Sequence, residues 1–385
     1  MENKFINQHI IEAKKIFNLY KGDEPLHLFL KKQFKKNKKF GSKDRKFIAQ
    51  YLYAVYRTGK ENRHLKFEEL VFIALFLKNE NEKQFFENHF TVLVEAIDFS
   101  LDKKLIFLAE KFEWRNTYRA QDEISNEINS IDYRNSFYDE PNVFIRLRKN
   151  EKILKQNLKS FGKEIRENCF SFSKKINLET LIPPSDFVVQ DYNSQRCAEF
   201  FPELKSSDLV WDCCAGSGGK SILLLDKFKN IKVYVSDIRE NILESLISRF
   251  ELLKLKAEKI LLINVNKEKD LALLEENFNF VICDVPCTGS GTWARTPEQF
   301  YFFQKKEIEN FAKRQLDILQ NASVKVLPNG HLLYITCSVF EKENEIVIDK
   351  FLKENKKFKI IKQDYLNSFE LKADTLFACL LERVE

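Results

Sequence analysis

Two cysteines of this 385-residue chain stand where a thiol can react. Cys287 follows Asp284-Val285-Pro286, and Cys337 lies in Thr336-Cys337-Ser338, each just past an apolar run that reads as a strand. Cysteines inside or beside such runs are more simply buried packing, and Cys213, Cys214, Cys283 and Cys379 read that way. A thiol just past a strand suits covalent chemistry. The C5 carbon of a pyrimidine is a poor nucleophile toward a methyl sulfonium until a thiolate adds at C6. After methyl transfer the C5 proton must leave so that the thiol is eliminated, and a second cysteine close by is a candidate base. A free thiol with a pKa of about 8.5 is only about a tenth ionised at pH 7.5, so a neighbouring cation should help. Lys220 and Arg295 are the candidates.

Five of the ten glycines fall in two loops of one kind. Gly216, Gly218 and Gly219 lie in the run Asp212-Cys213-Cys214-Ala215-Gly216-Ser217-Gly218-Gly219-Lys220, and Gly289 and Gly291 lie in the run that begins at Asp284. A glycine-rich strand-to-helix turn lets a ligand approach bare amides at a helix N-terminus, although a tight turn needing positive φ reads the same way. Asp237, about 20 residues further on at the end of the next strand, is placed to accept hydrogen bonds from both hydroxyls of a ribose. The pair asks for a nucleoside cofactor. The spacing is not Gly-x-Gly-x-x-Gly, as a nicotinamide enzyme would show, and too few residues separate Gly216 from Lys220 for a Walker loop. S-adenosylmethionine fits better, being a nucleoside without phosphate whose sulfonium suits the acids Asp212, Asp237 and Asp284. The following strand ends at Asn264, where an amide would meet the adenine amino group; Asn266 is the alternative.

Residues so placed require a parallel sheet covered on both faces. Apolar runs at Leu209 to Asp212, Lys232 to Ser236, Lys259 to Asn264, Phe278 to Asp284 and His331 to Thr336 alternate with amphipathic helices. Ligands of such sheets bind beyond the carboxyl ends of the strands. A long helix from about Lys305 to Val326 buries Ile308, Phe311, Ala312, Leu316, Leu319 and Ala322, and Pro328-Asn329-Gly330 turns the chain back into the sheet. Upstream, Val143 to Arg148 alternates like a strand with basic residues on one side. It opens a small α+β module with a helix near Lys152 to Phe161 and another strand near Glu164 to Phe172. Residues 1 to about 130 contain three Gly and one Pro and read as six or seven helices. Ser42 to Arg57 shows the helical period, with Ser42 as N-cap. The expected domains are 1–135, 136–184 and 185–385.

Composition narrows the class. Apolar residues make up 44% and charged ones 31%, which excludes collagen-like and globally disordered chains. The net charge of +6 names no partner by itself, but nine Lys or Arg against one acid, Asp44, lie between Lys31 and Lys46. That run is either a solvated helix face or a contact for nucleic-acid phosphates. Met1-Glu2-Asn3-Lys4 opens no signal peptide, and nowhere do about 18 apolar residues run together, so no membrane partner is expected. Eight cysteines without a regular framework fit a reducing cytoplasm. No Cys-x-x-Cys occurs and the five histidines are scattered, so no metal site is expected.

The motifs together resemble those of the Sun/Nop family of RNA cytosine-5 methyltransferases. They are Gln190-Asp191-Tyr192-Asn193-Ser194-Gln195, Asp212 to Ser221, Asp284 to Gly291, Arg295-Thr296-Pro297, and Thr336-Cys337-Ser338 with Glu343-Asn344-Glu345, in the same order and spacing from about Pro141 onward. The resemblance implies an α/β, Rossmann-like, class I S-adenosylmethionine-dependent methyltransferase domain. It implies that Cys337 is the nucleophile, that Cys287 assists product release, and that Asp284 and Lys220 set the active site. Cys214, Ala215, Gly216, Ser217, Gly218, Gly219 and Lys220 would line the cofactor pocket with Asp237, Asp284 and, where the family has Asp, Asn264. Gly216-Ser217 stands where Ala-Pro is common. Lys43-Asp44-Arg45-Lys46-Phe47 with Tyr51 to Arg57 is similar to the NusB-like RNA-binding domain of bacterial small-subunit ribosomal RNA methyltransferase B. The implied enzyme is a cytoplasmic monomer that makes 5-methylcytosine in unstacked RNA, ribosomal RNA before transfer RNA. The rivals are an RNA clamp without turnover and a DNA cytosine methyltransferase in which Cys287 attacks.

Overall fold

The segment Phe278 to Asp284 is apolar at alternate and intervening positions alike, and only a strand covered on both sides buries such a run. The computed structural model describes residues 5–37, 39–78, 83–115, 120–149, 151–173 and 176–384. Met1 to Lys4, which carry the reading of the N-terminus, and Lys38 of the basic run lie outside them. The described strands are β1 (Val143–Leu147), β2 (Lys163–Arg166), β3 (Cys169–Phe172), β4 (Phe187–Val189), β5 (Leu209–Asp212), β6 (Lys232–Asp237), β7 (Lys259–Leu262), β8 (Phe278–Asp284), β9 (Val326–Thr336), β10 (Phe358–Leu366) and β11 (Leu376–Arg383). The residues fall into two compact units. One comprises Met1–Gln121, Asn129–Glu140 and Trp293–Lys305; the other comprises Asp122–Ile128, Pro141–Thr292 and Lys306–Glu385.

In the second unit a seven-stranded sheet runs β10-β11-β9-β8-β5-β6-β7, parallel except for β11, which opposes both neighbours. This is the expected α/β, Rossmann-like arrangement. The chain leaves β5 toward β6 on one side and later adds β8 on the other. The carboxyl ends of β5 and β8 therefore flank the crevice where such sheets bind ligands. Helices cover the faces because their apolar residues recur every three or four positions: Leu243, Leu246, Phe250 and Leu253 are the buried residues of Glu240–Leu253.

Two boundaries differ from expectation. β7 ends at Leu262, because the Asn264 amide donates to Asp270 Oδ2 and leaves the ladder. Pro328-Asn329-Gly330 lies inside β9 as a bulge between the pairs Phe278/Val326 and Phe280/His331, with Asn329 at φ +60°.

A smaller antiparallel sheet, β2-β3-β1-β4, belongs to the same unit. The single strand expected over Glu164 to Phe172 is a hairpin, β2 and β3, turned at Asn168 with φ +62°. The basic side of β1 is not available to a nucleic acid. Arg146 and Arg148 are largely buried and grip Asp226 at 2.7 and 2.9 Å, and Arg148 also donates to the carbonyls of Ser185 and Leu253. These two arginines fasten the small sheet to the helices Gly219–Lys227 and Glu240–Leu253 of the same unit.

The first unit holds seven α-helices among the described residues before Pro141. Helix Ser42–Arg57 is capped by Gly41, not Ser42, with the Gly41 amide donating to Asp44 Oδ2. Trp293–Lys305 completes its core. Tyr301 lies 5.1 Å from Tyr56 and Phe302 lies 5.5 Å from Tyr20, ring to ring, and Arg57 Nη2 donates to the Ala294 carbonyl at 2.8 Å. Gly22, at φ +86°, is required there, since a Cβ would sit 2.7 Å from the Phe302 ring. No helix among the described residues is long and apolar enough to cross a membrane.

Candidate active site

Strands β8 and β9 pair in parallel with Asp284 opposite Ile335, so the loops beyond their carboxyl ends emerge side by side. One delivers Cys287, the other Cys337, and the two sulfurs lie 3.2 Å apart, both half-buried and both free. Contact with the Cys337 sulfur, and then burial, pushes the Cys287 thiol well above the ordinary cysteine value. Lys220 does not touch either sulfur. Its ammonium donates to Asp284 Oδ2 and to Ser194 Oγ, each at 3.0 Å. Burial opposes that charge, but the attraction of Asp284, with smaller help from Cys197 and Asp212, holds the ammonium above its ordinary value. Arg295 belongs to the helical unit.

A buried carboxylate ties the two thiol loops together. Glu343 Oε1 accepts from the Thr288 amide at 2.9 Å and from Gln315 Nε2 at 3.0 Å, while Oε2 accepts from the hydroxyls of Thr288 and Ser338. Thr288 directly follows Cys287 and Ser338 directly follows Cys337, so one side chain sets the height of both sulfurs. Burial pushes the Glu343 carboxyl up, against the pull of these donors. Asn344 adds a second brace, accepting from Thr336 Oγ1 and donating to the Ser338 carbonyl. Gly291 closes the arrangement: its amide donates to the Cys337 carbonyl and its carbonyl accepts from Thr375, and a Cβ would stand 2.0 Å from the Thr375 oxygen. This glycine serves backbone packing, not the approach of a ligand.

The loop after β5 is built differently. Gly218, at φ +84°, caps helix Gly219–Lys227 and packs on Phe250 and Leu246, but a Cβ on Gly216 or Gly219 would meet nothing within 4 Å. The Ala215 amide donates to the Ser236 carbonyl, Ser217 accepts from Arg249, and the Cys214 sulfur lies 3.9 Å from that of Cys213. Asp237 is buried, and its Oδ2 accepts from the Gly216 amide at 3.0 Å. Arg239 also holds this carboxylate, through its own amide and through Nε and Nη2, at 2.9–3.0 Å. Burial works against the Asp237 charge, but Arg239 outweighs it and holds the carboxyl below the ordinary range.

Asp212 is wholly buried; Ser221 donates to Oδ2, while Oδ1 has no partner, and burial pushes the carboxyl up to about 7. Asn264, past β7, accepts the Asn266 amide on its Oδ1, and Asn266 in turn accepts from Asn321 at the surface. The Gln190–Gln195 motif buttresses the floor. Gln190 Nε2 donates to the Gly219 carbonyl, Asn193 Nδ2 to the Asp374 carbonyl, and Ser194 receives Lys220. Among the described residues no group of three or more His, Cys, Asp or Glu could hold a metal ion.

Residues 201–377, which include both cysteines, the glycine loop and Asp237, match the family model described as 16S rRNA methyltransferase RsmB/F. They form an RsmB/F-family methyltransferase domain. Ribosomal RNA small subunit methyltransferase B of Shewanella oneidensis is 32% identical over 169 residues, 43% of this chain and 38% of that protein. The chain thus matches well under half the length of such curated relatives. The solved structure of PH0851 shares the fold across 99% of both chains, with a TM-score of 0.72 at 20% identity. A methyltransferase homolog protein from Pyrococcus horikoshii shares it across 76% of this chain and 97% of its own, with a TM-score of 0.56 at 17% identity. RsmB/F methyltransferases depend on S-adenosylmethionine, and the RsmB/F domain has room for it: open space faces Gly216 and Gly219, beside the carboxylate of Asp237. Glu343 and Arg239 are the participants that sequence reasoning did not single out as site residues. Glu343 was legible only as part of a motif, and Arg239 only as a neighbour of Asp237.

Proposed function

We propose that this chain is an S-adenosylmethionine-dependent RNA (cytosine-5) methyltransferase acting on small-subunit ribosomal RNA. The observation that carries the reading is the pair of free thiols 3.2 Å apart at the ends of adjacent strands, with Asp284 on the same loop as Cys287. Cys214 to Lys220 and Asp237 hold the cofactor, which when bound supplies an electrophilic methyl group; Asn264 meets the adenine. Cys337, as thiolate, adds to C6 of a cytosine taken out of its stack, forming an S–C6 bond and making C5 nucleophilic. Cys287 serves the release step: its deprotonated sulfur takes the C5 proton, the C5–H electron pair re-forms the C5–C6 double bond, the S–C6 bond breaks and Cys337 leaves as thiolate. Asp284, steadied by Lys220, accepts hydrogen bonds from the base. The exposed cations Lys31, Lys35, Lys36, Lys43 and Lys46 offer RNA phosphates a contact on the helical unit. The protein acts as a cytoplasmic monomer.

Separate replacement of the cysteines tests the mechanism. Incubated with S-adenosylmethionine and small-subunit ribosomal RNA, Cys287→Ala accumulates a protein–RNA adduct that survives denaturation, and Cys337→Ala forms none. An adduct formed by Cys337→Ala through Cys287 would assign the attack to the wrong sulfur and favour the DNA-type mechanism. Bisulfite sequencing of RNA from cells with and without the gene identifies the substrate: a lost mark in small-subunit ribosomal RNA supports the reading, and one only in transfer RNA replaces it.

A further inference from the structure

The carboxylate of Asp237 has no acceptor position to spare. An ionised carboxylate offers about four lone-pair sites. Two are filled by backbone amides, Gly216 on Oδ2 and Arg239 on Oδ1, and these belong to the loop and the helix start. The other two are filled by the Arg239 side chain, Nε on Oδ1 at 2.9 Å and Nη2 on Oδ2 at 3.0 Å. A ribose presents two adjacent hydroxyls, and the only two places for them on this carboxylate are the two that the guanidinium holds.

We infer that Arg239 is an internal competitor for the cofactor: its two side-chain N–H groups occupy the acceptor sites of the ribose diol, and cofactor binding exchanges them for the two hydroxyls. The inference rests on the S-adenosylmethionine reading above. The exchange is physically reasonable on both sides. Asp237 is buried, and a buried carboxylate without a partner is costly, so the ligand-free protein needs a donor pair there. The Arg239 side chain is 59% exposed and makes no other hydrogen bond among the described residues, so it swings into water at little cost. The site thus keeps its carboxylate ionised and aimed before the cofactor arrives, at the expense of some affinity.

The test is the affinity for S-adenosylhomocysteine, measured calorimetrically on the full chain. Arg239→Ala binds about two- to fivefold more tightly than the parent, the range of a partly exposed ion pair. Arg239→Lys, which keeps the charge but loses the two-pronged geometry, falls between the two. Added salt screens the pair, so the parent-to-Arg239→Ala ratio shrinks toward one. In an Asp237→Asn background, removing Arg239 leaves the weakened affinity unchanged. Looser or equal binding by Arg239→Ala overturns the inference, because Arg239 would then contribute to the site or be indifferent to it. A gain that persists with Asp237→Asn overturns it as well. If neither the parent nor any variant binds S-adenosylhomocysteine, the cofactor reading itself fails, an outcome distinct from binding that ignores Arg239.

Discussion

The two halves of the candidate site use the same residue types for opposite ends. On the thiol side a glycine, Gly291, is forced by a backbone that passes 2.0 Å from where its Cβ would be, and a carboxylate, Glu343, is fully engaged by four donors within the protein. On the cofactor side the glycines Gly216 and Gly219 face open space, and the carboxylates are provisional: Asp237 leans on a half-exposed arginine, and Asp212 keeps an oxygen with no partner. The difference teaches that a site which must hold two sulfurs in contact is finished by the fold. A site which must admit a ligand is left with vacancies and replaceable bonds.

Substitutions sharpen or break this contrast. The largest loss is expected for Gly291→Ala, where the new Cβ drives two backbone segments apart. It costs about 3 kcal/mol of stability, seen as a lowered denaturant midpoint. Glu343→Ala is next. It strands the Thr288 amide and Gln315 in a buried space and removes about 2 kcal/mol. The rate of RNA adduct formation falls with it. Glu343→Gln should restore most of both, since an amide oxygen serves the Thr288 amide and Gln315 while its NH₂ donates to hydroxyls that can rotate. A Gln variant as damaged as the Ala variant would mean that charge, not placement, is what the thiols need.

Asp212 gives a pH signature. Its carboxyl is raised from 3.8 to about 7 in the folded protein, so between those values the folded state binds more protons than the unfolded one. Stability attributable to Asp212 is complete below about pH 4 and declines as pH rises to about 7. Asp212→Asn removes the decline and gains roughly 4 kcal/mol over the parent at pH 8 relative to pH 4. Parallel melting curves for the two proteins across that range would exclude the assignment. The smallest change in stability belongs to Gly219→Ala, within about 0.5 kcal/mol of the parent. Its affinity for S-adenosylhomocysteine nevertheless drops, because the methyl group fills the cradle. If Gly219→Ala unfolds the protein as Gly291→Ala does, the two glycines do not differ in kind.

Much of this contrast was legible in the sequence. The cysteines past their strands, the glycine loop and Asp237 follow from local patterns, and so do β5, β6 and β8. What escaped depends on partners far away in the chain. Arg146 and Arg148 look like a basic edge until Asp226, in helix Gly219–Lys227, is found against them. The hairpin of β2 and β3 turns on one asparagine at positive φ inside an otherwise strand-like run. Both glycine loops read alike in sequence, because the carbonyl of Thr375 that makes Gly291 obligatory is 84 residues away. Arg239 carries no periodicity at all; its meaning appears only when the acceptor sites of Asp237 are counted.

The excursion of Trp293–Lys305 into the helical unit bears on how the protein is made. Tyr301 and Phe302 pack among Tyr20 and Tyr56, yet nearly three hundred residues of chain separate them from the first helix. A nascent chain that has just left the ribosome with its helices complete therefore lacks part of its own aromatic core. That unit waits, incompletely packed, until most of the catalytic sheet has been synthesised. A fragment cut after Glu140 would inherit the same gap permanently, so the helical part cannot be prepared as a clean piece by truncation alone.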